Sequence, residues 1–160
     1  ETGGGIKHAA HLFTSDEPIL IHNVDILSNV DLAQFYKMHA KSSLATLLVS
    51  ERQSSRYLLF DEQNRLMGWT NRQTSEVKTP YESLDIDACQ RFAFAGIHVV
   101  SPTIFDLMEE WSGAFSIIDF YLALAKRENI FSVVKNDLQL LDVGKISTLQ
   151  QAETSLSFFI

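Results

Sequence analysis

The sequence is poor in the residues that staple, kink or loosen a chain: one cysteine, three prolines and seven glycines in 160 positions. Cys89 has no internal partner for a disulfide, so the fold must stand on its core and needs no oxidising compartment, which points to the cytoplasm. Positive charge is also scarce, with 13 Lys+Arg against 20 Asp+Glu and a net charge of −7. That balance argues against a sequence-independent grip on nucleic acid or anionic lipid, both of which require phosphate to be neutralised, though it leaves room for a local basic pocket. No apolar run reaches bilayer length, since the candidates at 92–100 and 117–125 are short or flanked by Gln, Arg or Asp. The start carries no targeting pattern and no methionine, and Glu1 opens directly into Thr2-Gly3-Gly4-Gly5, so a preceding N-terminal piece is expected.

What is present is ordinary for a globular protein: 46% apolar and 21% charged residues, which excludes disorder and collagen. A chain of this length fits a single domain over 1–160 that hides roughly 70% of its unfolded surface. Short apolar runs alternate with amphipathic stretches, the pattern of an α/β layer fold with a largely parallel sheet. A helix is expected from Gly5, with Ile6, Ala9, Ala10 and Phe13 on one face, followed by a buried strand at 18–22 that ends in a polar loop. Asp31 reads as the N-cap of a helix presenting Leu32, Phe35, Tyr36 and His39. Strands are expected at 44–49, at 56–60 and 65–69 as a hairpin, and at 91–100, with 71–87 as loop. Ser101-Pro102 reads as N-cap and first helical residue, and another helix carries Ile117, Ile118, Tyr121, Leu122 and Ala125. Strands at 130–134 and 138–143 and a last helix from about Ser147, capped with Gln150, complete the pattern.

Three places combine an element end with groups able to handle phosphate. Thr2-Gly3-Gly4-Gly5 precedes a helix, where missing side chains open the backbone amides to an anion. Asn23-Val24-Asp25 follows a strand, which places Asp25 at the edge where open α/β sheets bind ligands, and a carboxylate there suits Mg²⁺. Asp142, with Gly144 two residues on, repeats that arrangement at the end of another apolar run. Strand ends remote in sequence meet along one sheet edge, so Asp25 and Asp142 are candidates to share one ion, the minimal acid pair for magnesium on a phosphate substrate. Each also has a plainer reading as a flexible start, a turn aspartate or a strand-end turn. His8 and His11 lack an acidic third ligand and read as solvated, His22, His39 and His98 as core histidines, and Cys89 as an incidental thiol. Phe13, Phe35, Phe105 and Trp111 read as packing rather than a stacking platform.

Four segments in order, Glu1-Thr2-Gly3-Gly4-Gly5-Ile6, Ile21-His22-Asn23-Val24-Asp25-Ile26, Phe94-Ala95-Gly96-Ile97 and Asp142-Val143-Gly144-Lys145, resemble the sugar-1-phosphate nucleotidyltransferases. The nearest likeness is to the branch of mannose-1-phosphate guanylyltransferases and N-acetylmuramate-1-phosphate uridylyltransferases, whose members carry E-T-G-G-G-I, a strand followed by N-G-D, F-x-G-I, and D-V-G-[TK]. The resemblance spans essentially the whole chain. It implies a Rossmann-like nucleotide-diphospho-sugar transferase fold, a mostly parallel mixed sheet flanked by helices, and transfer of a nucleoside monophosphate from an NTP to a sugar 1-phosphate with release of pyrophosphate. It further implies that Asp25 and Asp142 are the catalytic metal ligands for Mg²⁺. Thr2, Gly3, Gly4, Gly5 and Asn23 would lie along the nucleotide, and Gly96 would line the sugar pocket.

Two departures qualify the likeness. Val24 stands where the family usually has glycine, narrowing backbone freedom beside a metal ligand. The family's opening signature, G-x-G-[TS]-R-x-x-P-x-T, is absent, so the expectation is a fold lacking its first βα unit, inactive by itself, with exposed strand edges that favour association between copies. Two alternatives are carried beside this one. The first is a metal-dependent glycosyltransferase, in which Asn23-Val24-Asp25 is a degenerate D-x-D element binding a nucleotide sugar; the second is a non-catalytic regulatory domain that binds sugar nucleotides.

Overall fold

The computed structural model describes residues 1–144, and the expected helix from Ser147 lies outside the described residues. The helices are α1 (Thr2–His8), α2 (Leu32–Lys37), α3 (Ile104–Leu107) and α4 (Ile117–Leu124), with a 3₁₀ turn at Ala10–Leu12. The strands are β1 (Ile19–His22), β2 (Ile26–Ser28), β3 (Ala45–Ser50), β4 (Arg56–Phe60), β5 (Leu66–Asn71), β6 (Glu76–Lys78), β7 (Gln90–Val100), β8 (Ile130–Val134) and β9 (Leu140–Asp142). A seven-stranded sheet runs β6-β5-β4-β7-β3-β8, with β1 on β7 as well, and β2 and β9 form a separate two-stranded ribbon.

The sheet is mostly antiparallel, which corrects the parallel sheet expected from the sequence. Among the described residues only β3 and β8 run parallel, while β7 opposes β1, β3 and β4, and the β4–β5 and β5–β6 connections are hairpins that enforce antiparallel pairing. The apolar character of β7, buried from Phe92 onward except at Phe94, fits a central strand of either orientation. Its length joins two regions: residues 90–92 pair with β4 and residues 97–100 with β1, on a strand that also carries β3.

Alternation along the strands sorts side chains into two cores. Leu47, Val49, Val100 and Ile19 pack with Ile104, Met108, Phe120 and Tyr121 beneath α3 and α4, whereas Leu48, Ala95, Ile97 and Val99 pack with Phe35 of α2 on the opposite face. Helices therefore cover both faces. Asp31 caps α2 by accepting from Gln34 N at 2.9 Å, and Ser116 caps α4 by accepting from the amides of Ile118 and Asp119. In the β4–β5 hairpin, Asp61 Oδ1 accepts from the amides of Gln63 and Arg65, and Asn64 takes the left-handed conformation at φ 61°. That turn then shields β8, because Ser132 N donates to the Asn64 carbonyl at 2.9 Å.

Local differences from the sequence reading have local causes. α1 starts at Thr2 rather than Gly5, because Gly3 and Gly4 are pressed against the 113–115 segment and gain there what they lose in helix propensity. β6 lies within the stretch expected to be loop, since three residues suffice to extend a hairpin. Thr103, not Ser101, occupies the N-cap of α3, and Ser101 and Pro102 turn ahead of it. The strand expected at 138–143 shortens to Leu140–Asp142 and leaves the main sheet to pair with β2, which was not foreseen within the polar stretch after His22.

Candidate active site

The β2–β9 ribbon brings the two acids together. Ile26 pairs with Asp142, and Val143 N donates to the Asp25 carbonyl at 2.8 Å, so the start of one strand faces the end of the other. Gly144 N donates to Asp142 Oδ1 at 2.9 Å. The position a Cβ would take on Gly144 is 3.1 Å from Asp142 Oδ1 and 3.1 Å from Asp25 Oδ2, so both carboxylates flank one small space that a side chain would invade. Both aspartates are exposed. No group of three or more His, Cys, Asp or Glu able to hold a metal by itself occurs among the described residues. Two exposed carboxylate oxygens beside one space fit a magnesium ion that keeps most of its water and meets its remaining ligands on a substrate phosphate.

The ribbon is anchored at its far end by Asn29, whose Oδ1 accepts from Gln139 N at 2.9 Å and whose Nδ2 donates to the Asp137 carbonyl at 3.0 Å. At the near end Asn23 N donates to the Gly96 carbonyl at 3.0 Å, and the Asn23 carbonyl accepts from Ile26 N. Gly96 has φ +74°, and a Cβ there would lie 2.8 Å from Asn23 Nδ2. The chain thus uses glycine both for its backbone conformation and to seat the Asn23 side chain. Val24, between Asn23 and Asp25, is fully exposed.

The glycines of the opening segment divide. Gly3 N donates to the Phe115 carbonyl at 3.0 Å, and a Cβ on Gly3 would collide with the Phe115 ring, while one on Gly4 would come within 2.6 Å of the Gly113 carbonyl. These two glycines fasten α1 to the segment that leads into α4. Gly5 has open space around it, and Thr2 is exposed.

A cleft of about 460 Å³ opens between β4–β6, Phe94 of β7 and the first turn of α4, and sequence reasoning missed it. Arg52, Arg56 and Lys78 line it with Trp69 and Asn71, together with the acids Glu76 and Asp119. Lys78 Nζ donates to Asp119 Oδ1 at 2.9 Å and lies 5.3 Å from the centre of the Trp69 ring. The hydrogen bond to Asp119 raises the Lys78 pKa; desolvation, the next largest effect, opposes it, and the charges of Asp119, Glu76 and Glu1 add to the rise. Arg52 Nη2 donates to the Phe94 carbonyl at 3.1 Å, two residues before Gly96 on the same strand. Neither arginine is in a salt bridge among the described residues, so in a chain of net charge −7 this cleft keeps cations facing water. The available signal was three cations at 52, 56 and 78 around a hairpin in an acidic sequence.

The remaining singled-out residues lie elsewhere. His8 and His11 are exposed, and His11 Nδ1 donates to the His8 carbonyl at 2.9 Å. His22 Nδ1 donates to the Asn23 carbonyl, and His39 shares a hydrogen bond with Thr46, its pKa lowered by burial. Burial, then the charge of Asp85, raises the Cys89 thiol pKa, the opposite of an activated nucleophile. Phe35 is buried and Phe13 stacks on Phe105 at 5.8 Å.

No protein-family model matches the chain, and no curated protein sequence does. Among solved structures, the chain is similar to one from Bacillus anthracis, provisionally designated a glucose-1-phosphate thymidylyltransferase and crystallised with sucrose, with a TM-score of 0.68 over 93% of this chain. The chain spans 58% of that protein's length at 12% sequence identity. The chain has an α/β fold resembling that of this similar structure. At that identity the likeness speaks for the fold alone. No helix among the described residues is long and apolar enough to cross a membrane.

Proposed function

We propose that the chain is the acid-bearing and sugar-phosphate-binding part of a sugar-1-phosphate nucleotidyltransferase. The observation that carries the reading is the placement of Asp25 and Asp142, from opposite ends of the described chain, on either side of the space left by Gly144. Asp25 and Asp142 would hold Mg²⁺ there, and the ion, when bound, would offset the charge that builds on the α-phosphate. An oxygen of the sugar 1-phosphate attacks the α-phosphorus of the NTP, the bond to the β-phosphate oxygen breaks, and pyrophosphate leaves. No covalent bond to the protein is needed.

Both reactants are anions, so the residues must cancel repulsion while holding alignment. Arg52, Arg56 and Lys78 would do so for the sugar phosphate, with Trp69 and Asn71 offering a ring face and an amide to the sugar. Asn23, seated on Gly96, which is two residues along β7 from Phe94 of the cleft, is itself two residues from Asp25. By the same reading the opening segment borders the nucleotide through exposed Thr2 and Gly5, while Gly3 and Gly4, pressed against the 113–115 segment, hold α1 in place instead of opening their amides to an anion. Mannose and glucose 1-phosphate head the sugar candidates, the first from the sequence resemblance and the second from the name of the similar structure.

The 160 residues contain no G-x-G-[TS]-R-x-x-P-x-T segment to wrap a triphosphate. The expectation is therefore that this stretch alone binds sugar phosphate and turns over little, while the whole encoded protein is active. The test is pyrophosphate release from a panel of NTPs and sugar 1-phosphates with Mg²⁺, for both. Release by the whole protein that requires the sugar phosphate supports the reading. Transfer from a nucleotide sugar to an acceptor, without pyrophosphate chemistry, replaces it with a glycosyltransferase; nucleotide-sugar binding without turnover on any substrate replaces it with a regulatory domain.

A further inference from the structure

The core under the cleft holds a polar pair that the proposed reaction does not use. His98 lies on the α4 side of β7, opposite Ile21 of β1 and Leu47 of β3, and is completely buried. Its Nδ1 is 2.6 Å from the hydroxyl of Tyr121, also completely buried, on α4. Its Nε2 has no partner among the described residues. Burial lowers the imidazole pKa to about 3 and raises that of the phenol, so both groups are neutral at any working pH and the bond between them does not titrate away.

An imidazole with one unmatched nitrogen is a costly way to fill a core position, since a buried polar atom without a partner destabilises the fold where an apolar side chain would not. What it gains is direction. On one side His98 meets the Phe94 ring edge to face, with centres 5.5 Å apart at 87°, and Phe94 lines the cleft. On the other it is tied to Tyr121, two to five residues beyond Ser116, Ile118 and Asp119, the residues of the α4 cap and first turn that line the cleft. Ordinary packing lets a helix slide over a sheet by fractions of an ångström; a single short hydrogen bond from strand to helix removes that freedom.

We propose that His98 is a positioning residue that sets the distance between the two walls of the cleft, Phe94 on β7 and the first turn of α4, through its hydrogen bond to Tyr121. The inference rests on the cleft being the sugar-phosphate site. Through Asp119 the same device places Lys78, the cation of the cleft that is tethered to α4. A ligand that spans both walls therefore depends on the pair, whereas a small anion held by the arginines alone does not.

The test uses Trp69 emission in a Trp111→Phe background, titrating mannose 1-phosphate, glucose 1-phosphate and inorganic phosphate into the parent and into His98→Phe, His98→Asn and Tyr121→Phe. The side-chain amide of asparagine can meet the Tyr121 hydroxyl as acceptor through its oxygen or as donor through its NH₂, whichever role Nδ1 plays, so His98→Asn is the rescue. His98→Phe and Tyr121→Phe should bind the sugar phosphate roughly fivefold to tenfold more weakly, with inorganic phosphate changed less than twofold and His98→Asn within about twofold of the parent. If His98→Phe does not fold, Tyr121→Phe, which removes only a hydroxyl, decides. Unchanged sugar-phosphate binding in folded Tyr121→Phe, or equal loss for both ligands, overturns the proposal. If the parent binds neither sugar phosphate, the functional reading fails instead. The positioning claim is then decided by backbone amide shifts, which must move at Phe94 and Ser116 to Asp119 in Tyr121→Phe and His98→Phe and return in His98→Asn; shifts confined to the neighbours of the altered side chain overturn it.

Discussion

Asp142 Oδ1 and Asp25 Oδ2 are each 3.1 Å from the point where a Cβ of Gly144 would stand. Two acids with a shared space act as a unit, so removing either should cost nearly as much as removing both. Asp25→Asn and Asp142→Asn in the whole protein should each lower Mg²⁺-dependent turnover by about a hundredfold or more, with the double variant little worse. Steady-state pyrophosphate release measures this; full additivity of the two losses would mean that the acids serve separate steps.

Gly144→Ala is the finer probe. Gly144 has no positive φ, so alanine fits the backbone, and it is exposed, so stability should change by no more than about 0.5 kcal/mol. The new methyl crowds both carboxylate oxygens and should weaken divalent-cation affinity several-fold. Calorimetric titration with Mn²⁺ beside thermal unfolding separates the two effects.

Gly96→Ala should do the reverse and strike the fold first. At φ +74° an L side chain is strained, and its Cβ would sit 2.8 Å from Asn23 Nδ2, so a loss of about 1–3 kcal/mol is expected in urea unfolding. Asn23→Ala should relieve the contact and restore part of that loss. Additive destabilisation by the two changes would show that Asn23 is not what Gly96 accommodates.

His98 makes stability depend on pH in a stated direction. Its folded pKa of about 3 is below the ordinary 6.5, so between those values the unfolded chain takes up a proton that the folded chain refuses. Stability from this group is full above about pH 6.5 and falls as pH drops, by about 1.4 kcal/mol per unit at most, until the folded pKa is reached. Urea unfolding from pH 7 to 4 should show this slope in the parent and a shallower one in His98→Phe. Equal slopes would mean that other groups carry the acid sensitivity.

Much of this was legible in the residues. The apolar runs of β1, β3 and β8, the Asp61–Asn64 turn and the Asp31 cap carry their own local signals, and the acids stand out because each ends an apolar run. Strand direction did not show, because β7 is buried on both faces and reads as parallel or antiparallel alike. The cleft was hidden for a different reason. Arg52, Arg56 and Lys78 are ordinary surface cations until the hairpin and β6 fold them around Trp69, and three-residue β6 is too short to leave a period. Likewise, the packing duty of Gly3 and Gly4 depends on Phe115 and Gly113, remote in sequence.

The most direct test of the account is where a divalent cation sits. Mn²⁺ titrated into the ¹⁵N-labelled chain should broaden, saturably and first, the amides of Asp25, Ile26, Val143 and Gly144, and the effect should vanish in both Asp25→Asn and Asp142→Asn. Broadening centred elsewhere, or surviving in either variant, would contradict it.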